Sequence, residues 1–392
     1  MYSQNPGYPP QGAGGYPPQG AGGYPPQGAG GYPPQAGAPG GPPATLFEAV
    51  AGYEKTVFGQ GYAPPPPTAP PMPEQSRPDE EFVSGAAITS EEAQEAMENF
   101  VASQCCYGSS PAKEMVIQDI TPTSAYHYKL TTFTESRQTA WQYEPFTGQV
   151  VDGPHNGPAP GPWNINVQPS KMFSPTSTKV EVPHTASVKQ CHECYGGGYK
   201  QCKTCLGRGW SKCNTCNGHG HVKDNFGEEK QCTFCSGAGE GRCSPCNGGG
   251  RIKCEVCQGH SRLKTFIQLT VTWKNHDSEK TIERTQGGPK EKVKDATGLQ
   301  IFHQQLPRVW PITTFFDNEI NSASQQFVNE HATSWPQERI LMQNHILRAI
   351  PVAEVSYVWK GDSYRFWVYG KEPRQVFAPD YPQQCCCGCV IL

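Results

Sequence analysis

The sequence contains no run of about 18 consecutive apolar residues, which is the length that a membrane-spanning helix requires. Its first residues, MYSQNPGYPP, lack the basic region and the apolar core of a secretory signal peptide. Basic charge is not in excess either, since 32 Lys and Arg residues stand against 35 Asp and Glu residues, for a net charge of −3. These absences disfavour a transmembrane protein, a secreted protein and a general binder of polyanions. We therefore expect a cytoplasmic protein.

Cysteine, by contrast, is abundant, with 18 residues in a chain of 392. In a reducing compartment, cysteines in such number are typical of metal binding, lipid attachment or catalysis rather than of a disulfide framework. Glycine and proline are also abundant, with 43 and 39 residues, and they are concentrated in an N-terminal repeat and in a cysteine-rich middle segment. The rest of the chain has an ordinary globular composition.

The N-terminal segment repeats the motif GYPPQGAG over residues 7–38 and contains a second proline run at 64–67. Proline fixes φ and lacks a donor, glycine raises the entropy lost on ordering, and a few spaced tyrosines bury too little area to compensate. The pattern therefore predicts a disordered tail over residues 1–85. Such a tail is either a spacer or a weak, multivalent docking segment that uses its tyrosines.

An amphipathic helix is predicted within residues 86–107. Thr89 and Glu92 have the spacing of a capping box. The apolar residues that follow have helical spacing and are Ala93, Ala96, Met97, Phe100 and Val101. The adjacent Cys105 and Cys106 do not have the spacing of a chelating pair, and we interpret them as core or spare thiols.

The remaining body is predicted to be α+β, with a β-rich segment at 108–190 that packs with a second one at 261–375. Strand patterns occur at 126–130, 180–182 and 263–273, and the runs 355–359 and 364–368 flank Lys360 and Gly361 as in a β-hairpin. Helical patterns occur at 317–331 and 337–349. Residues 376–392 are predicted to form a C-terminal tail.

Six C-x-x-C pairs lie between residues 191 and 257. They are Cys191/Cys194, Cys202/Cys205, Cys213/Cys216, Cys232/Cys235, Cys243/Cys246 and Cys254/Cys257. One tight turn directs both sulfurs of a pair at one metal, and two pairs supply the four ligands of a tetrahedral zinc site. The twelve cysteines therefore predict three structural zinc ions. Five pairs continue as C-x-x-C-x-G-x-G, and glycine permits the positive φ and close backbone approach that a thiolate-binding turn needs.

The spacing of the pairs also bears on how they combine. Successive pairs start 11, 11, 19, 11 and 11 residues apart. In nested pairing, the first C-x-x-C pair combines with the sixth, the second with the fifth and the third with the fourth. The chain then forms a hairpin with arms of equal length on either side of one long tip. Sequential pairing, in which each C-x-x-C pair combines with the next one along the chain, stays open. It would make the middle site unlike its two neighbours, so we favour nested pairing.

This cysteine pattern resembles the zinc region of J-protein chaperones of the DnaJ type, which carries the same C-x-x-C-x-G-x-G motif. Together with its β-rich flanks and its length, the chain resembles the homologues of the nematode Ssu-two protein. The resemblance implies an extended, zinc-stabilised β-hairpin arm at 191–260, inserted into a sheet that holds polypeptide clients. J-proteins stimulate a heat-shock ATPase through a His-Pro-Asp tripeptide, which this sequence lacks, so we do not expect that activity.

Two other functions compete with client binding. A nucleic-acid-binding arm is disfavoured because zinc-bound thiolates leave the arm without net positive charge, although its aromatic residues could stack on bases. These residues are Tyr195, Tyr199, Trp210, Phe226 and Phe234. A thiol-disulfide oxidoreductase is disfavoured because zinc-bound thiolates are poor nucleophiles. The nearby His192, His219, His221 and His260 are interpreted as exposed, neutral side chains.

The sequence ends in Cys389-Val390-Ile391-Leu392, a C-a-a-X pattern typical of geranylgeranylation at Cys389. Stable anchoring needs a second signal, which palmitoylation of Cys385, Cys386 or Cys387 would supply. The alternative is an unmodified or metal-binding cysteine tail. The sequence as a whole thus predicts a non-enzymatic zinc protein of chaperone or adaptor type that binds polypeptides without ATP, does not bind nucleic acid, and is tethered to a cytoplasmic membrane face.

Overall fold

The computed structural model describes residues 46–47, 49–54, 56, 62–65 and 88–384. The GYPPQGAG repeat and the cysteines from Cys385 to Cys389 lie outside the described residues. The helices and strands, in chain order, are α1 (Ser90–Ser103), α2 (Ser110–Glu114), β1 (Val116–Pro145), β2 (Thr176–Glu181), β3 (Ser187–Gln190), β4 (Tyr199–Gln201), β5 (Trp210–Lys212), β6 (His221–Lys223), β7 (Glu229–Gln231), β8 (Glu240–Arg242), β9 (Arg251–Lys253), β10 (Arg262–Ile282), β11 (Leu299–Leu306), α3 (Asn318–Thr333), β12 (Glu338–Trp359), β13 (Asp362–Tyr369) and β14 (Gln375–Phe377).

An eight-stranded antiparallel sheet forms the body. Its strand order is β14-β13-β12-β1-β10-β2, with β11 also paired to β12 and β3 also paired to β10. The central strand β1 precedes the cysteine-rich segment, whereas its two neighbours β10 and β12 follow it. The segments on either side of the cysteines therefore build one sheet, and β3 and β10 lead into and out of the inserted segment.

The two faces of the sheet bury different sets of side chains, because neighbouring residues of a strand point to opposite faces. On one face, Tyr128 and Leu130 pack with Ile320 of α3. On the other face, Phe133 packs with Ile267 and Trp273. The period-two patterns predicted at 126–130 and 263–273 are thus confirmed as strands.

Helix α1 begins with the predicted capping box. The side chain of Thr89 accepts a hydrogen bond from the Glu92 N–H at 3.2 Å, and the Glu92 carboxylate accepts one from the Thr89 N–H at 2.9 Å. Met97 and Val101 on its apolar face are buried against the sheet. The sequence prediction of an amphipathic helix here is confirmed.

The prediction of a helix over 337–349 is wrong, because residues 338–349 lie in β12 and residue 337 lies in the turn before it. Buried positions alternate along this part of the strand, but two of them hold the polar residues Gln343 and His345. Gln343 accepts a hydrogen bond from the Val309 N–H and donates one to Thr132, both at 3.0 Å. These hydrogen bonds offset the cost of burying polar groups. The buried positions are therefore not all hydrophobic, and the sequence does not show the hydrophobic period of two that is typical of a strand. The helix predicted at 317–331 is confirmed as α3.

The predicted hairpin of residues 355–368 is confirmed as the β12–β13 pair. Trp359 pairs with Asp362, and the two residues between them, Lys360 and Gly361, have φ values of 52° and 93°. Positive φ at both central positions gives a two-residue turn whose twist matches that of the flanking strands.

The prediction of disorder up to residue 85 does not hold for the described residues between 46 and 65. Tyr53 is only 2% exposed and lies in the core cluster that contains Trp273. Its hydroxyl donates to the Pro160 carbonyl at 2.5 Å, and the Tyr62 N–H donates to the Arg137 carbonyl at 3.1 Å. Tyr53 is buried, and Tyr62 partly buried, because the sheet supplies packing partners that spaced tyrosines cannot supply to one another.

The predicted tail boundary at residue 376 is likewise wrong for the residues up to 384. Ala378 and Tyr381 are buried in the cluster that contains Met97 of α1. The described chain thus stays attached to the body as far as Gln384, which forms an isolated antiparallel bridge with Tyr107. Among the described residues, no helix is long and apolar enough to cross a membrane.

Candidate metal centre

The cysteine-rich segment is a long antiparallel ladder between β3 and β10. Three small two-stranded sheets succeed one another along it, formed by β4 with β9, β5 with β8, and β6 with β7. Each strand has only three residues, and most of their side chains are exposed. Such strands bury too little apolar area to be stable alone, so the cysteine turns between them must provide the stabilisation.

All six C-x-x-C turns share one backbone conformation. The residue that follows the second cysteine is left-handed in every turn, with φ between 48° and 52°, and the next residue is a glycine with φ between 80° and 86°. The left-handed residues are Tyr195, Leu206, Asn217, Ser236, Asn247 and Gln258. Glycine tolerates this conformation readily, whereas other residues adopt it at a cost that the surrounding structure must offset. Only the glycines signalled this geometry in the sequence.

The turns direct backbone N–H groups at sulfur. The Gly198 N–H donates to the Cys194 Sγ at 3.2 Å, and the Gly220 N–H donates to the Cys216 Sγ at 3.2 Å. Gly209 and Gly239 make the equivalent bonds to Cys205 and Cys235 at 3.3 Å. Hydrogen bonds to the charged form of a group stabilise that form, so these turns favour thiolates over thiols.

The structure brings all twelve predicted cysteines together in three groups of four. The groups are Cys191, Cys194, Cys254 and Cys257; Cys202, Cys205, Cys243 and Cys246; and Cys213, Cys216, Cys232 and Cys235. Within each group, the four sulfurs lie within 4.8 Å of one another. The first C-x-x-C pair combines with the sixth, the second with the fifth and the third with the fourth. This is the nested order that the spacing favours. In the part of the chain that the structure describes, no histidine or carboxylate joins these groups.

The sulfur spacing fits a tetrahedral thiolate site. The Sγ–Sγ distances across the ladder run from 3.6 Å, between Cys194 and Cys257, to 3.9 Å, between Cys213 and Cys232. A tetrahedron with Zn–S bonds of about 2.3 Å has edges of about 3.8 Å. A disulfide would instead require an S–S distance of about 2.05 Å. The donor set and its dimensions therefore suit zinc or a similar soft divalent ion, although the identity of the metal stays a prediction.

Paired glycines let the two sides of the ladder approach each other. A Cβ atom on Gly209 would overlap the carbonyl oxygen of Gly248, and a Cβ atom on Gly250 would overlap that of Gly207. The close approach lets the Cys243 N–H donate to the Gly209 carbonyl at 2.9 Å. Cross-ladder backbone bonds thus hold the two turns of one group at the separation that four ligands need.

The thiols within a group are electrostatically unequal. The N–H of Cys205 lowers the pKa of Cys202 to about 6, and the N–H of Cys216 lowers that of Cys213 to about 6. Burial raises the pKa of Cys191 and of Cys243 to about 12. Four thiolates at this spacing repel one another, and a divalent cation between them would replace the protons and neutralise part of the charge. Each ion would then be held by the four cysteines of one group, without a ligand from any other residue type.

The other predicted site residues lie outside these groups. His192 contacts the ring of Tyr143 edge-on, with ring centroids 5.6 Å apart, and belongs to no four-cysteine group. Cys105 and Cys106 lie in the turn that follows α1. The predicted lipidation site Cys389 lies outside the described residues. Geranylgeranylation and palmitoylation therefore stay predictions.

The fold and the site together define a β-rich protein with a few helices that carries three four-cysteine groups suited to metal. No family model matches the chain. The chain is 44% identical over 354 residues to the protein SSUH2 homolog of Danio rerio, which covers 88% of this chain and 96% of that protein. It is 42% identical over 363 residues to the protein SSUH2 homolog of Homo sapiens, which covers 91% of this chain and 96% of that protein.

A third relative, the protein SSUH2 homolog of Mus musculus, is 47% identical over 257 residues, which is 65% of this chain and 75% of that protein. At this level of identity and coverage, the chain belongs to the SSUH2 homolog family. The predicted membership among the homologues of the Ssu-two protein is confirmed. The likeness of the cysteine ladder to the DnaJ zinc region stays a prediction.

Proposed function

We propose that this chain is a non-enzymatic zinc protein of chaperone or adaptor type, which binds unfolded or extended polypeptide without ATP and is tethered to a cytoplasmic membrane face. Zinc supplies folding energy to the cysteine ladder, hereafter the arm (residues 191–260), and takes no part in a reaction. The role of the chain's own residues is to present apolar side chains on the ladder. The exposed side chains of the arm are the observation that carries the proposal.

Large hydrophobic side chains are unusually exposed on the arm. Six of the eleven such residues in the described part of the chain lie there. They are Tyr195, Tyr199, Leu206, Trp210, Phe226 and Phe234, with exposed fractions of 86%, 50%, 67%, 55%, 91% and 79%. Isolated exposed apolar residues are normal, but their concentration in one segment favours an interaction surface.

These side chains project from an ordered backbone. Tyr195 and Leu206 occupy the left-handed position of their cysteine turns, with φ values of 51° and 52°. At the tip of the arm, Asp224 accepts hydrogen bonds from the N–H groups of Phe226 and Glu228, at 2.9 Å and 3.0 Å. A scaffold that is already ordered loses little conformational entropy on binding, which favours contact with extended partners.

Charge on the arm favours polypeptide over nucleic acid. The arm has nine Lys and Arg residues and six Asp and Glu residues. With twelve thiolates and three divalent ions included, its formal charge is about −3. Phosphate backbones are repelled by such a surface, whereas apolar segments with basic residues are attracted.

The proposal is tested with a chemically unfolded substrate, such as denatured rhodanese, diluted into the zinc-loaded full-length protein. We expect light scattering from aggregation to fall in proportion to added protein, without nucleotide. Trp210→Ser, Phe226→Ser and Phe234→Ser should each weaken this suppression. Val150→Ser is the matched control, because Val150 is 87% exposed but lies outside the arm. Unchanged aggregation at several-fold excess would contradict client binding.

A thiol-disulfide oxidoreductase is the enzymatic alternative, and the arrangement of the sulfurs argues against it. Each C-x-x-C pair faces a second pair, with cross-pair Sγ–Sγ distances of 3.6–3.9 Å, so that metal competes with substrate for every thiolate. We expect the zinc-loaded protein not to accelerate the reduction of insulin by dithiothreitol. Turnover with all three ions bound would support the enzymatic alternative instead.

Membrane tethering is the second part of the proposal, and it is carried by the C-a-a-X sequence at Cys389. Because the body holds the chain as far as Gln384, a lipid on Cys389 would lie within five residues of the folded surface. In cell fractionation we expect Cys389→Ser to move the protein from the membrane to the soluble fraction. Replacement of Cys385, Cys386 and Cys387 should leave partial, salt-resistant membrane binding. Full membrane retention of Cys389→Ser would contradict this part.

A further inference from the structure

Each C-x-x-C turn of the arm is covered by the side chain of the residue that precedes its first cysteine. In chain order, these covering residues are Gln190, Gln201, Lys212, Gln231, Arg242 and Lys253. Each side chain lies over the glycine that follows the left-handed residue of its own turn. All six residues are exposed, and none belongs to a four-cysteine group. Their contacts therefore act on the turns and not directly on an ion.

Three of the six covering residues also donate a hydrogen bond to the turn. The acceptor is in each case the carbonyl oxygen of the left-handed residue. The donors are the Gln201 amide at 2.8 Å, the Gln231 amide at 2.8 Å and the Arg242 Nε–H at 2.6 Å. In the described part of the chain, the other three covering residues make no such bond and only pack over their glycines.

The peptide unit that carries this carbonyl is also tied at its N–H in some of the turns. In the second, third, fourth and fifth turns, the glycine N–H donates to the carbonyl of the first cysteine of the pair, at 3.1–3.3 Å. The first and sixth turns make no such bond among the described residues. The peptide unit is thus held at both ends in the second, fourth and fifth turns, at one end in the third, and at neither end in the first and sixth.

The three cysteine groups inherit this difference from their turns. We call the groups that contain Cys191, Cys202 and Cys213 the base, middle and tip groups. Both turns of the middle group are held at both ends, whereas neither turn of the base group is held at all. The base group is also covered most loosely. A Cβ atom on Gly196 or Gly259 would lie at least 3.5 Å from the covering side chain, against 2.5–2.8 Å in the other four turns.

We propose that the residue before each C-x-x-C pair is a positioning residue for metal, so that the base group is an exchangeable site for a soft divalent ion and the middle group retains its ion most strongly. The inference rests on the metal binding proposed above. A left-handed residue other than glycine needs support from its surroundings, and a turn that loses this conformation directs a sulfur away from the ion. Pairing of β3 with β10 brings the two base turns together, but it does not hold the peptide units within them. The expected order of release is base, tip and middle.

The order of release is measured on the zinc-loaded full-length protein, challenged with excess EDTA while free thiols are trapped with N-ethylmaleimide. Native mass spectra taken before the challenge should show three ions. Trypsin places the second C-x-x-C pair of the tip, middle and base groups in separate peptides, 231–242, 243–251 and 254–262. We expect peptide 254–262 to be labelled first and peptide 243–251 last. Simultaneous labelling of the three peptides, or labelling of 254–262 last, would overturn the proposal.

Three glutamines at equivalent positions provide matched variants. Gln201→Leu and Gln231→Leu remove the donor but keep a side chain of similar size, so release from the middle and tip groups, respectively, should become roughly 2- to 10-fold faster, as expected for one hydrogen bond. Gln190→Leu is the control, because the Gln190 side chain packs over its glycine without donating to the turn. Gln201→Arg should retain the ion as the unsubstituted protein does, since Arg242 donates at the equivalent position.

The converse substitution adds a donor to the base group. Lys253→Gln should slow release from this group by a similar factor, with labelling followed in peptide 252–262. Equal effects of Gln190→Leu and Gln201→Leu on their own groups, or faster release from Gln201→Arg, would show that the side chains do not position the turns. A zinc-treated protein without bound ions would overturn metal binding itself, whereas three ions that leave together would overturn only the gradation between the groups.

Discussion

The β-strands of the body and those of the arm are ordered by different physical means. The body uses strands of 30, 21 and 22 residues and buries large side chains such as Trp273, Tyr128 and Phe133. The arm uses strands of three residues, and its buried centres consist mainly of cysteine. Removal of apolar area from water stabilises the first region, whereas ligation of metal by sulfur would stabilise the second. The two regions should therefore respond to different perturbations.

Metal removal should produce the largest difference between them. A structural zinc ion contributes about 10–16 kcal/mol to folding in small zinc domains, which exceeds anything the three-residue strands can supply. We expect a strong chelator to abolish amide protection in β4 to β9 and to leave β1, β10 and β12 protected. Hydrogen exchange with mass spectrometry measures both regions in one sample. Retained amide protection in the arm after complete metal loss would contradict the claim that metal stabilises this region.

A core substitution should give the converse result. Phe133→Ala removes a fully buried aromatic side chain from the sheet and should lower the free energy of unfolding of the body by about 3–5 kcal/mol. Urea denaturation followed by tryptophan fluorescence measures this loss. The number of zinc ions in native mass spectra should stay at three. Loss of zinc in parallel with the body would show that the arm depends on the sheet.

A glycine substitution should affect the arm alone. Gly209→Ala places a Cβ atom against the Gly248 carbonyl at a residue with φ of 83°. Positive φ alone costs about 1–3 kcal/mol for a residue other than glycine, and the overlap adds to this. We expect weaker metal binding by the second cysteine group in competition with a chelator. Gly241→Ala is the matched control, since a Cβ atom there meets nothing within 4 Å, and an equal effect of both variants would contradict the close-approach argument.

The smallest predicted effect concerns pH and the body. Burial lowers the pKa of His345 to about 4, so the unfolded chain binds more protons than the folded chain between about pH 6.5 and pH 4. The free energy of unfolding should therefore fall as the pH decreases through this range. At pH 5, the loss due to His345 should be about 2 kcal/mol. His345→Gln should reduce the slope of stability against pH without abolishing it, because burial also lowers the pKa of His127 and His331. Urea denaturation at pH 7 and pH 5 tests this, and an unchanged slope would contradict it.

The sequence predicted the body well wherever hydrophobicity followed the strand or helix period. The capping box at Thr89, the alternation at 263–273 and the turn at Lys360 all correspond to observed elements. The prediction failed over 337–349 because Gln343 and His345 are buried by virtue of hydrogen bonds formed with distant residues. Such partners are known only once the fold is known, so no local pattern could have indicated them.

The cysteine groups were predicted more completely than the fold around them. Ligand chemistry fixes the residue type, and the spacing of 11, 11, 19, 11 and 11 residues favours a nested ladder. What escaped prediction were the left-handed residues that are not glycine, such as Leu206 and Asn247, and the burial of Tyr53 and Tyr381 against the sheet. Each depends on contacts with parts of the chain that are distant in sequence.

Nesting would give three ions bound in the arm different surroundings along the ladder. Cys213 and Cys232 are 19 residues apart and close a short loop at the tip, while Cys191 and Cys254, 63 residues apart, are brought together at the base by the β3–β10 pairing. The middle group, whose cysteines are 41 residues apart, has neither advantage, and we expect it to assemble after one of its neighbours. An ion bound there would have a four-cysteine group on either side along the ladder, and in an isotope-exchange experiment we expect it to be the last of the three to be replaced.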